Sequence, residues 1–247
     1  VYKTCLHRGI DITKTPLEVA PGSHTWLGGL DVDTYGQSSI PGLFAAGETA
    51  GGIHGGNRIG GSALAASLAF GRRAGRKAAE LVGSEPVSVP TLGDNAIPEA
   101  EREWLAGLME RTDGPFQGDV RMHCRMLAHD KLGPIRDENT LREALTEYER
   151  IENEDLQTLR LSEAARETGK GRGEEIESAL SIRNLALLGR ILATAALERE
   201  ESRGAHYRLD YPEPNDADWR KVTRLHHTES GGIEFSTDPV KNVAGGA

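Results

Sequence analysis

The chain has 247 residues, with 29 basic and 38 acidic side chains and a net charge of -9, enough length for one large domain or two small ones with a real core. That negative balance excludes a general nucleic-acid binder, which needs a positive footprint, and does not suit docking on an anionic membrane surface. Two distant cysteines, Cys5 and Cys124, argue against a disulfide framework and for a reducing compartment, and no apolar run approaches the ~20 residues of a membrane span.

The first residues, Val1-Tyr2-Lys3-Thr4-Cys5, read like the interior of a domain, so an N-terminal part is expected to precede them. Residues 1–41 read as strands and turns punctuated by Pro16, Pro21, Gly22, Gly28, Gly29 and Gly36. Within them, Gly29–Asp33 predicts a strand and Thr34–Gln37 a tight turn. Leu43–Ala46 predicts a short buried strand.

The stretch Gly42–Leu64 is the most informative in the chain. It places Glu48, His54, Arg58 and eight glycines between that strand and a small-residue helix. Glycines let backbone approach a ligand closely, and a helix start presents free N–H groups with partial positive charge. The helix is predicted from about Ser62 to Leu81, its small residues packing on a sheet. Arg72, Arg73, Arg76 and Lys77 then fall in its last turns.

Residues 82–98, rich in Pro, Ser and Val, read as a linker. Beyond them apolar residues recur at helical spacing over Glu99–Met109, Arg121–Leu132, Asn139–Ala165 and Glu174–Arg199. Gly204 offers a glycine cap after the last of these. A β-like spacing returns near Gly232–Phe235. His123, Cys124 and His129 lack the further ligands and spacing of a metal site, and His226 and His227 read as exposed tail.

Several segments resemble the flavoprotein subunits of succinate dehydrogenase and fumarate reductase, a superfamily that includes L-aspartate oxidase. They are Gly42–Glu48 (GLFAAGE), His54–Leu64 (HGGNRIGGSAL), Phe70–Gly75 (FGRRAG) and Ala20–Gly29 (APGSHTWLGG). Leu132–Arg136 with Leu141 and Ala144–Leu145, and Glu201–Tyr211 (ESRGAHYRLDY), continue the series in the family's order. The resemblance covers roughly residues 10–220.

It implies an α/β flavin-binding segment, a partial Rossmann-like FAD domain with a piece of the capping domain, followed by a helical C-terminal domain. The implied boundaries are 1–30 for the end of the capping domain, 31–85 for the FAD-binding part, 86–98 for a linker, 99–204 for the helical domain and 205–247 for an irregular tail. The implied chemistry is hydride transfer between flavin N5 of FAD and a C4 dicarboxylate. No GxGxxG occurs here, so the pyrophosphate site, the proton-donating Arg and any flavin-linking His are expected in a part preceding Val1.

By the same resemblance Glu48 accepts hydrogen bonds from FAD hydroxyls. Backbone N–H groups of Ser62, Ala63 and Leu64 face the flavin pyrimidine edge; the family commonly has Asn-Ser-Leu there. His24 and Arg58 hold the two substrate carboxylates, with Thr25 where Tyr is frequent. A planar guanidinium matches a carboxylate. As ordinary residues, Glu48 would be a loop carboxylate and His24 a surface histidine. His54 holds its loop or touches ligand, and Arg203 and His206 brace the helical domain against the flavin domain. The resemblance further implies a partner, an iron–sulfur electron-transfer subunit, and a cytoplasmic place, at the membrane face through partner subunits. L-aspartate oxidase is the alternative within the family; a non-catalytic remnant that only binds partner subunits is the alternative outside it.

Overall fold

The computed structural model describes residues 1–19, 22–84, 97–228 and 232–240. Most of the expected linker lies outside the described residues. The chain opens with a helix, α1 (Tyr2–His7), where strands and turns were expected. The segment lacks apolar alternation, and Gly9, at φ 80°, ends the helix. Among the described residues, 11–19 and 22–61 carry turns and single bridges in place of full strands. Leu30 pairs with Ala50 and Gln37 with Phe44. Asp33 closes the predicted turn, its carboxylate accepting from the Tyr35 and Gln37 N–H groups at 2.8 and 2.9 Å.

Helix α2 (Ser62–Ser84) runs one turn further than expected, so its four basic residues sit before the last turn. Lys77 lies over the Tyr35 ring and Arg73 over Phe70. Among the described residues no sheet covers this helix; it packs on the Gly47–Thr49 turn, and Leu64 stays 70% exposed.

The hydrophobic core lies in the helical part. Helices α3 (Glu99–Glu110), α4 (Gln117–Lys131) and α5 (Glu138–Arg150) lead to α6 (Leu156–Thr158) and α7 (Arg172–Glu198). Asp137 starts α5 with a capping box, its carboxylate accepting from the Thr140 N–H. Leu141, Ala144 and Tyr148 then point inward.

The predicted helix over 139–165 is broken, and the cause is legible. Ile151 and Leu156 are both buried yet five residues apart, a spacing that a 3.6-residue period cannot place on one face. A π turn over Ile151–Asp155 absorbs the difference, clipped by Arg150 to Asp155 at 2.8 and 2.9 Å. The chain then extends, burying Leu159 and Leu161 on alternate positions while Arg160 bridges to Phe116.

Helix α7 buries Ala179, Ile182, Ala186, Gly189, Ala193 and Ala196, spaced three and four apart and all small but Ile182. They let α5 come close. A Cβ on Gly189 would stand 2.2 Å from Tyr148 Cζ, so only glycine fits there. By length and composition α7 could cross a membrane, a property the sequence reading missed, yet its small-residue face packs against α4 and α5. Its Arg183 pairs with Glu101 at 2.5 Å and its Arg190 with Glu152 at 2.8 Å.

Gly204 does not cap α7. The last carbonyls are taken instead by Arg208, which donates to Ala196 O at 2.8 Å and Leu197 O at 2.9 Å. The stretch after 205, expected to be irregular, holds regular elements. Strand β2 (Tyr207–Arg208) pairs in parallel with β1 (Ile135–Arg136); α8 spans Asp216–Trp219; β3 (Lys221–His227) and β4 (Ile233–Pro239) form an antiparallel hairpin. His226 lies opposite Glu234 in that hairpin, and Arg224 ties it to Asp31 in the N-terminal part.

Candidate active site

Two backbone segments meet at Gly29. A Cβ there would stand 2.4 Å from Thr49 O and 2.7 Å from the Gly51 N atom. Glycine lets the two chains bond directly, Leu30 N–H to Thr49 O at 2.8 Å and Gly51 N–H to Leu30 O at 2.9 Å. This crossing sets the His24–Trp26 segment beside the Glu48 turn.

The Trp26 N–H donates to Glu48 Oε1 at 2.7 Å, and Arg58 Nη1 donates to Thr25 Oγ1 at 2.9 Å. The Trp26 bond, aided by Thr25 and by the charges of Arg58 and His24, holds the Glu48 carboxyl below its usual range despite partial desolvation. Glu48, Thr25, Trp26 and Arg58 are thus joined by direct contacts, and His24 lies within electrostatic reach. His24 and Glu48 are exposed; Arg58 and His54 are half-buried.

Ser62 opens α2, its hydroxyl donating to Ile59 O at 2.6 Å; Ala63 and Leu64 complete the first turn, which carries no acidic side chain. Helix-start N–H donors and an exposed carboxylate acceptor suit a flavin, whose ring edge accepts and whose ribityl hydroxyls donate, while a guanidinium suits a carboxylate. Gly47, at φ 76°, bends the backbone just before Glu48, a conformation that favours glycine, and a Cβ there would stand 3.3 Å from Ser67 Oγ of α2.

His123 pairs with Glu147 at 2.9 Å, while Cys124 lies in the core, its thiol pushed up to about 11 by burial and then by Asp155. Neither reaches the Glu48 group.

The late segment meets the Gly-rich loop directly, the Ala205 N–H donating to Gly56 O at 2.9 Å. Two residues in this region, Glu201 and Arg136, were read only as parts of matching segments and given no role of their own. Glu201 is wholly buried, bound by Arg203 at 2.8 and 2.9 Å and by Arg199 at 2.5 and 2.9 Å. Arg136 donates to His206 Nδ1 at 3.0 Å. An arginine can only donate, so Nδ1 is the acceptor and Nε2 carries the proton toward Arg199 O at 3.2 Å. The signal available for Glu201 was a pair of adjacent carboxylates, Glu200 and Glu201, set between Arg199 and Arg203.

These groups predict an acid-sensitive fold. Burial pushes the His206 imidazole down to about 4, the charges of Arg136, Arg199 and Arg208 adding to it against the Arg199 carbonyl bond. Burial would raise the Glu201 carboxyl, but the bonds from Arg203, the Asn215 N–H and Arg199 prevail and hold it at about 2. Unfolded histidine titrates near ~6.5, so between there and about 4 the unfolded chain binds the extra proton and stability falls as pH falls. The Glu201 contribution is present above its unfolded value and fades as pH drops toward about 2. The melting temperature is expected to fall from pH 6.5 to 4, and His206→Gln to flatten that segment. An unchanged slope in the variant would contradict the assignment.

Comparison with known proteins agrees with the order of these segments. A family model for the fumarate reductase flavoprotein C-terminus matches residues 121–244, and one for an FAD-binding domain matches residues 1–64. The CoM/CoB fumarate reductase of Methanothermobacter marburgensis contains a chain 33% identical over 219 residues, 88% of this chain and 38% of that protein. This chain belongs to the succinate dehydrogenase and fumarate reductase flavoprotein family. An L-aspartate oxidase of Caulobacter vibrioides is also 33% identical, over 94% of the chain and 37% of the relative. The Mycobacterium smegmatis Sdh1 complex contains a chain that superposes with a TM-score of 0.82 at 33% identity, covering 98% of this chain and 40% of that one. The chain thus spans well under half the length of these flavoproteins. The family's members are FAD-dependent oxidoreductases, and FAD is the cofactor of this flavoprotein family.

Proposed function

We propose that this chain supplies the dicarboxylate-binding face of an FAD-dependent succinate/fumarate oxidoreductase. The supporting observation is the placement of Arg58 and His24 around Glu48, linked through Thr25. Arg58 forks one substrate carboxylate and His24 donates to the other. Together they polarise the alkene of fumarate and orient it. FAD, when bound, supplies the two-electron chemistry at N5. The α2 start, through Ser62, Ala63 and Leu64, steadies negative charge at the ring edge. Glu48 accepts from the cofactor's hydroxyls while holding Trp26. None of the residues given a role here supplies the proton-donating Arg that the family resemblance implies.

The partner we infer is an iron–sulfur subunit that exchanges electrons with the flavin and holds the protein at the cytoplasmic membrane face. L-aspartate oxidase is the second reading, favoured by the Caulobacter relative over nearly the whole chain. In the FAD-loaded protein, succinate is expected to bleach the flavin absorbance and fumarate to restore it. Bleaching by aspartate and not by succinate would select the second reading; bleaching by neither would overturn both.

A further inference from the structure

The loop that carries Arg58 is tethered at few points. Among the described residues, residues 52–58 make two hydrogen bonds to the rest of the chain. One is Arg58 Nη1 to Thr25 Oγ1; the other is the Ala205 N–H to Gly56 O, two residues before Arg58. Ala205 belongs to a closed turn in which the Arg203 N–H donates to His206 O at 2.8 Å and the His206 N–H to Arg203 O at 3.0 Å. The turn is driven tight against the loop. A Cβ on Gly204 would stand 2.1 Å from Gly56 O, and a Cβ on Gly56 would stand 3.2 Å from Arg203 Cγ. The Arg203 side chain leaves from the base of this turn; Glu201 grips it bidentately at 2.8 and 2.9 Å, and the exposed Asp216 accepts from it at 2.5 Å. Glu201 is itself fixed by Arg199 and by the Asn215 N–H at 2.8 Å. Its burial removes solvent competition for these bonds, which makes the arrangement stiff.

We propose that Glu201 is a positioning residue for Arg58: by orienting Arg203 it presses the 203–206 turn onto Gly56 and fixes the backbone from which the guanidinium reaches a dicarboxylate. The inference rests on the reading that Arg58 takes a substrate carboxylate. A side chain in the helical domain thereby sets affinity at a site in the flavin domain, without touching the ligand.

The test uses the FAD-loaded protein and malonate, an unreactive dicarboxylate, titrated by calorimetry. Glu201→Gln keeps the shape and removes the charge. It is expected to raise the malonate Kd about tenfold, the scale of one well-placed contact. It is also expected to speed hydrogen exchange at the Ala205 amide while amides of α5 keep their protection. Ile182→Val weakens the helical core without touching the turn and is expected to keep the wild-type Kd. If Glu201→Gln does not fold, Arg203→Lys carries the test, because Glu201 keeps Arg199 and the Asn215 N–H while the bidentate grip is lost. Wild-type Kd in these variants, with Arg58→Ala weakened, overturns the positioning role and leaves the dicarboxylate reading standing. An equal loss in Ile182→Val also overturns it, as general loosening. No malonate binding by the wild type, or none lost in Arg58→Ala, overturns the dicarboxylate reading on which the inference stands.

Discussion

Replacing Arg58 by Ala is expected to lower kcat/KM for fumarate about a hundredfold or more in the FAD-loaded protein. The guanidinium is half-buried and anchored on one side by Thr25, so it is ordered before substrate arrives. An ordered fork aimed at developing negative charge acts mainly in the transition state, so kcat falls as well as KM rising. Arg58→Lys restores the charge without the planar pair of donors and recovers little. His24→Ala acts in the same direction, and the double variant loses less than the product of the two single losses, because both groups hold one substrate. Steady-state kinetics with a reduced dye as electron donor give the comparison. Unchanged parameters in Arg58→Ala would remove this residue from the site.

Arg208→Met is expected to cost about 3 kcal/mol of stability, near the low end for breaking a buried pair because Asp210 is partly exposed. Arg208 is 1% exposed, and one guanidinium joins three features. It closes the end of α7 through Ala196 O and Leu197 O. It binds Asp210 at 2.6 and 2.7 Å. Asp210 in turn accepts from the Glu138 N–H at the start of α5, at 3.0 Å. Methionine fills the volume but leaves two carbonyls and a carboxylate without their donor. Lysine has one ammonium where a fork spans two directions, and recovers only part of the loss. The urea midpoint reads both variants. A loss below about 1 kcal/mol in Arg208→Met would show that water replaces the guanidinium freely.

Much of the helical part was legible because a long amphipathic helix writes its period into the sequence. The elements over 99–110 and 172–198 fall within two residues of the expected ends. The break after Arg150 was also legible, in the five-residue step from Ile151 to Leu156, but the surrounding period masked it. The N-terminal helix was not legible: six residues with none buried carry no face to read. The Glu48 turn and the Arg58 loop stood out through their glycines and charges, since close backbone approach and carboxylate recognition demand those residue types. Glu201 did not, because a charge in a run of charges reads as solvated. Only the fold reveals that Arg199, Arg203 and the Asn215 N–H surround it. The pairing of β1 with β2 was hidden for a related reason: two strands of two residues, some seventy positions apart, carry no pattern of their own.

A crystal structure of the FAD-loaded protein with malonate addresses the central claim most directly. One carboxylate is expected on the Arg58 guanidinium and the other within hydrogen-bond reach of His24, with the flavin ring edge at the start of α2. Malonate bound away from both side chains, or a flavin ring remote from Ser62–Leu64, would contradict the account.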